Sequence, residues 1–185
     1  MEYNEDFLKR MINVPPNYPI KLNVGCGTDH RENYIGIDRA KFDEHVDIIM
    51  DIEKDLLPFG NNSVDEIYCA HVLEHLFSPE LLIAEFYRVL KPGALLHIVV
   101  PHYSHPNAKQ PIHKNYWGIY TKQIFDGQYH EFEDWSKSEW DVNFANRTGL
   151  KQKLLKPFIK RYPSIYEGHF AAIMPIAELQ FKLIK

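Results

Sequence analysis

Two cysteines in 185 residues are too few for a disulfide framework, and neither falls in a zinc-ligand spacing. Cys26 lies in a glycine turn and Cys69 in an apolar run. There is no window of about 18 uncharged apolar residues, so no membrane-spanning helix is expected. There is no basic excess either: 21 Lys and Arg stand against 25 Asp and Glu, a formal charge of -4. A polyphosphate-binding surface is normally basic, so no nucleic-acid partner is expected. The acidic start, Met1-Glu2-Tyr3-Asn4-Glu5-Asp6, lacks an apolar secretory core, and a cytoplasmic location is expected. Internal repeats and low-complexity tracts are also missing.

What remains is a chain that is 45% hydrophobic, enough for one core and one domain over 1–185. It divides into an N-terminal cover segment (1–19), a half rich in strand-turn units (20–100), and a C-terminal region (101–185) with a polar loop and further strands. Ile20, Leu22 and Val24 alternate with Lys21 and Asn23 and run into Gly25-Cys26-Gly27. Glycine there permits φ > 0 and lets a ligand lie against the backbone. Tyr34 to Asp38 and Val46 to Met50 are further apolar runs, each followed by a carboxylate, Asp38 or Asp51. Val64 to Cys69 is a fourth. Ser78-Pro79-Glu80 opens a helix through Leu82, Ile83, Phe86, Val89 and Leu90, which Lys91-Pro92-Gly93 ends. Ala94 to Val100 reads as a strand buried on both faces. A short helix over Glu5 to Met11 and another near Thr121 to Phe125 are expected, as are strands over Trp140 to Thr148 and Ile176 to Ile184, with a turn at Gly149.

Three strands thus deliver a glycine turn, Asp38 and Asp51 to one sheet edge, as an α/β nucleotide crevice requires. Asp38 suits two ribose hydroxyls and Asp51 an exocyclic amine, the needs of an adenosyl ligand. The 11 positions from Gly27 to Asp38 are too few for a helix plus a strand. The first crossover helix must be vestigial, and so must the second, within Arg39 to His45. NAD-binding folds differ, placing the acidic residue about 20 positions on and a third glycine where His30 stands.

The ordered set Leu22-Asn23-Val24-Gly25-Cys26-Gly27-Thr28, Ile35-Gly36-Ile37-Asp38, Asp51-Ile52, Leu57-Pro58-Phe59, Ser63-Val64-Asp65-Glu66-Ile67, His71-Val72-Leu73-Glu74-His75-Leu76 and Leu90-Lys91-Pro92-Gly93-Ala94-Leu95 resembles the class I S-adenosylmethionine-dependent methyltransferases, type 11-like. The resemblance implies a Rossmann-like, doubly wound seven-stranded sheet with the last strand antiparallel. It also implies S-adenosylmethionine as cofactor and methyl transfer as the reaction; the expected acceptor is a hydroxyl of a carbohydrate-like or other small metabolite. It places Gly25 and Gly27 by the methionine moiety, Asp38 by the ribose, Asp51 and Ile52 by the adenine, and His71 near the methionine end or the acceptor, with Asn23, Cys26 and Arg39 also among the cofactor-binding residues. At the position of Asn23 the family often has an acidic residue. The rivals are a non-catalytic binding protein for the same ligand and an RNA methyltransferase.

For a hydroxyl acceptor a base is needed, and histidine titrates in the right range. His102 and His113 lie in the polar loop at the carboxyl edge, and His71 is the alternative. His105 lies in the same loop, three positions from His102, but no familiar metal-ligand set is completed, and no metal is assigned. Arg147, Lys151, Lys153, Lys156, Lys160 and Arg161 follow an acidic stretch from Asp126 to Asp141. They read either as two solvated faces or as a basic patch for a phosphorylated acceptor or a membrane surface. Tyr103, Tyr116, Trp117 and Tyr120 either stack on an acceptor ring or bury the loop. With the crossover helices missing, one sheet face needs cover from residues 1–19 or from a second subunit in a homodimer.

Overall fold

The computed structural model describes residues 1–3, 18–121, 135, 137–144 and 149–185. The helix expected over Glu5 to Met11, most of the N-terminal cover segment, Arg147 and Thr148 lie outside them.

Eight strands form one sheet: β1 (Glu2–Tyr3), β2 (Lys21–Val24), β3 (Ile35–Asp38), β4 (Ile48–Ile49), β5 (Val64–Ala70), β6 (Leu90–Pro101), β7 (Lys137–Asn143) and β8 (Glu178–Ile184). Their order is β1-β4-β3-β2-β5-β6-β8-β7. Strands β2 to β6 are parallel to their neighbours among themselves, and β8 runs antiparallel between β6 and β7. This is the expected seven-stranded sheet with its last strand reversed, extended by the two-residue edge strand β1, which pairs antiparallel with β4. The order reverses between β2 and β5, and such a switch point opens a crevice at the carboxyl ends of the strands.

The connections from β2 to β3 and from β3 to β4 are turns without helices, as the short spacings dictate. Helix α1 (Pro79–Val89) carries the crossover from β5 to β6, burying Leu82, Ile83, Phe86 and Val89 against the sheet. Pro79 occupies its first turn, but Ser78 makes no side-chain cap bond. Leu57 N–H and the Arg88 guanidinium instead converge on Glu85. β6 starts at Leu90, earlier than the apolar run suggests. Lys91 pairs with Asp65 at 2.7 Å, and Gly93 N–H donates to Lys185 O, so the polar residues are edge contacts of the strand.

Gly149 does not mark a turn. It opens helix α2 (Gly149–Arg161), which presents Leu155, Phe158 and Ile159 at helical spacing and contains Pro157. The helix also resolves some of the charge asymmetry: Lys156 and Lys160 both reach Asp141 of β7, at 2.5 and 3.5 Å. Two cations of the basic stretch and the last carboxylate of the acidic one are therefore paired; the rest of the acidic stretch lies outside the described residues apart from Glu139.

Candidate functional site

The turn after β2 is shaped by close approach. Gly25 has φ +70°, and a Cβ there would stand 2.0 Å from Val72 Cγ2, so the turn packs directly on the segment following β5. Gly27 differs: φ is +51° and nothing lies within 4 Å of where its Cβ would be. The first glycine serves packing and the second leaves open backbone. Asn23 is buried and its side-chain amide donates to Asp29 O at 2.8 Å, tying the loop down. Cys26 is buried, and burial first, then the Asp38 carboxylate, pushes its thiol up to about 12, so it stays neutral. Burial pushes Cys69 up as well.

Asp38 closes the other side of the crevice. Its carboxylate accepts Gly27 N–H at 2.8 Å and Arg39 N–H at 2.6 Å. A carboxylate has about four lone-pair sites, so two remain for a vicinal pair of hydroxyls. Arg39 takes part through its backbone amide. Asp51 is held low by its hydrogen bond from Lys54 at 2.6 Å and by Glu53 N–H. Ile52 packs on the core beside it. Open backbone at Gly27, Asp38 next to it and an apolar-plus-carboxylate pair at Ile52 and Asp51 fit an adenosyl ligand.

The histidines separate clearly. His71 follows β5 with φ +57° and sits between two carboxylates, Glu178 at 3.2 Å and Glu74 at 3.4 Å. The Glu178 bond, then the Glu74 bond, outweigh desolvation and raise it to about 9, so it is a cation at neutral pH. His102 is 0% exposed, with Nδ1 2.7 Å from Ser104 Oγ and Nε2 3.3 Å from Glu167 Oε1. Both ring nitrogens are engaged in the interior. Glu167 also accepts Ile119 N–H, which pins the polar loop to the C-terminal half. His113 is only partly buried, with Nδ1 3.1 Å from Ala108 O. His105 Nδ1 accepts Asn107 N–H and caps a single turn, Pro106–Lys109. Of the loop aromatics, Trp117 is buried and bridges to His102, whereas Tyr116 and Tyr120 are exposed.

A cavity of about 240 Å³ opens at the carboxyl ends of β5 and β6, walled by His71, Glu74, His75, His113 and Glu178 among others. His71 and His113 line it, and His102 does not. Sequence reasoning missed Glu74, His75 and Glu178 as site residues. Glu74 and His75 were within reach, being adjacent to His71, but Glu178 arrives from β8 across 107 positions. The cavity lies one strand from the glycine turn, since Val24 pairs with Cys69. Among the described residues no helix is long and apolar enough to cross a membrane.

A family model described as a methyltransferase domain matches residues 26–98. No curated protein matches the chain in sequence. Among solved structures, a SAM-dependent methyltransferase from Archaeoglobus fulgidus superposes with a TM-score of 0.61 at 16% identity, covering 96% of this chain and 91% of that one. Phosphoethanolamine N-methyltransferase 2 of Haemonchus contortus, solved with S-adenosyl-L-methionine, gives 0.57 at 16% identity, over 97% of this chain and 51% of the other. A Haloferax volcanii methyltransferase in complex with the Trm112 activator gives 0.60 at 15% identity, over 96% and 88%. Residues 26–98 thus match a methyltransferase domain, and the fold of the chain is that of solved S-adenosylmethionine-dependent methyltransferases.

Proposed function

We propose that this protein is an S-adenosylmethionine-dependent methyltransferase that acts on a hydroxyl of a small, polar, carbohydrate-like acceptor held in the cavity between the segments that follow β5 and β6. The observation that carries the reading is that cavity: about 240 Å³, suited to a metabolite, with a wall of imidazoles, carboxylates and the amides of Asn107 and Gln110. When bound, the cofactor would supply a methyl carbon on a sulfonium, open to in-line attack by an aligned nucleophile with neutral S-adenosylhomocysteine as the leaving group. Gly27 and Asp38 hold the adenosyl group at a distance of one strand. His113 faces the acceptor with one nitrogen committed to Ala108 O, and its second nitrogen receives the acceptor's hydroxyl hydrogen. His102 keeps the loop folded through Ser104 and Glu167, and its role is positioning.

Two carboxylates in the same wall, Glu74 and Glu178, favour a second reading in which the acceptor is an amine. Incubation with methyl-labelled cofactor and a pool of hydroxyl- and amine-bearing metabolites separates the two. The expected product carries the label on oxygen, and His113→Ala lowers turnover by about 10²–10⁴-fold with cofactor affinity unchanged. A label on nitrogen, or full turnover by His113→Ala, overturns the hydroxyl reading.

A further inference from the structure

Glu74 is an anomaly. Its side chain is 1% exposed, one oxygen lies 3.4 Å from His71 Nδ1, and the other, Oε2, has no hydrogen-bond partner among the described residues. Buried carboxylate oxygens are rarely orphaned, and one that lines a cavity points to a missing cation or water. Two histidines besides His71 approach it. One ligating atom from each of Glu74, His75 and His113 lies within 4.8 Å of the others.

The geometry points to a binding site for one divalent cation of the zinc class, held by Glu74, His75 and His113. The donor set is two imidazoles and one carboxylate, which suits zinc, cobalt or iron(II) and disfavours magnesium and calcium, which prefer oxygen alone. Each imidazole also has an orienting partner: His75 Nδ1 lies 3.4 Å from Ile112 O and His113 Nδ1 lies 3.1 Å from Ala108 O. Backbone carbonyls on one ring nitrogen leave the other with its lone pair, the usual arrangement behind a metal-bound histidine.

The ligands come from two segments that are locked together. Lys114 N–H and Asn115 N–H both donate to Glu74 O, and the Asn115 side chain donates to Leu76 O at 2.6 Å. The single turn Leu73–His75 and the loop carrying His113 therefore move as one piece. Zinc bonds of about 2.0–2.1 Å would bring the ligand atoms to roughly 3.3 Å apart, closer than the 4.8 Å within which they lie here. Three protein ligands leave coordination positions open toward the cavity, where an acceptor oxygen would bind. That use of the cation rests on the hydroxyl-acceptor reading above and changes one role in it: the cation would acidify the bound hydroxyl, whose proton would pass to water in the open cavity, and His113 would hold the cation instead of taking the proton. Cation binding itself does not rest on it.

The test is a zinc titration of the purified, chelator-treated full chain against a competing chromophoric chelator, without cofactor or acceptor. One equivalent is expected to bind, and an excess of magnesium leaves the binding unchanged. His113→Ala and Glu74→Gln are each expected to weaken it by at least about 100-fold, more than an orienting partner would. His30→Ala, in the stacked His30–His45 pair elsewhere, should not change it. Cobalt in place of zinc should give visible ligand-field bands that His113→Ala abolishes, and His75→Ala repeats the test should Glu74→Gln fail to fold. Absence of one-to-one binding, binding equal in His113→Ala, or loss in His30→Ala overturns the proposal. Binding without methyl transfer to any hydroxyl acceptor would instead sink the acceptor reading and leave the site standing.

Discussion

Replacing Asp38 by alanine isolates the cofactor end of the site. The carboxylate accepts two backbone amides, from Gly27 and Arg39, and keeps about two lone-pair sites for the ligand. Both amides lie on a partly exposed turn and regain water when the side chain is removed, so the folding cost stays near 0.5–1.5 kcal/mol per bond. The ligand's loss is larger, because hydrogen bonds to a charged acceptor contribute about 1.5–3 kcal/mol. At roughly 1.4 kcal/mol per decade, affinity should fall by about 10- to 150-fold. Asp38→Asn, which keeps an acceptor oxygen but no charge, should fall between parent and alanine. Isothermal calorimetry with S-adenosylhomocysteine measures all three proteins, and thermal melting confirms that each is folded. An alanine variant within twofold of the parent would refute the assignment of Asp38 to the adenosyl ligand.

Gly25→Ala places a Cβ 2.0 Å from Val72 Cγ2 at φ +70°, so it should destabilise by more than the roughly 1–2 kcal/mol of the left-handed backbone alone. Gly27→Ala should cost only that backbone contribution, and Val72→Ala should partly rescue Gly25→Ala in a double mutant read by thermal denaturation. Acid should unfold the protein through its paired carboxylates. Burial pushes Asp65, Glu66, Asp141 and Glu167 up, but their partners outweigh it and hold each below its ordinary value. Their stabilisation is therefore full above the unfolded values of 3.8 and 4.5 and drains as pH falls below them. A urea midpoint no lower at pH 3 than at pH 7 would contradict this. Glu167→Gln should lower the melting temperature while leaving cofactor affinity intact, since Glu167 fastens His102 and Ile119 rather than ligand. Light scattering should show a monomer that loses stability when residues 1–12 are removed, or else a dimer. A monomer indifferent to the deletion rules out cover from either source.

The features that were legible in the sequence are those whose signal is local. Alternation before Gly25, the carboxylates that close short runs, and spacings too short for helices all concern neighbours in the chain. Helix α2 was also locally encoded, in Leu155, Phe158 and Ile159, but the reading of Gly149 as a turn masked it. The partners of the histidines were not legible. His102 and His113 look alike in a polar loop, and only tertiary contacts bury the first against Glu167, 65 positions on, and leave the second facing the cavity. Nor does any periodicity announce that a buried Glu74 lacks a partner for one oxygen.

The two halves of the catalytic edge also differ in how far apart their pieces lie in the chain. Gly27 and Asp38 meet across 11 positions, with no helix to form between them, so this corner closes a small loop and is assembled cheaply and early in folding. The opposite wall waits for β8: Glu178 reaches His71 only after 107 positions have been brought into register between β6 and β7. A chain folding from its N-terminal side would have the nucleoside corner before it has a place for the acceptor. In such an order the pairing of one reversed strand, β8, with β6 is the step that completes the wall carrying Glu178.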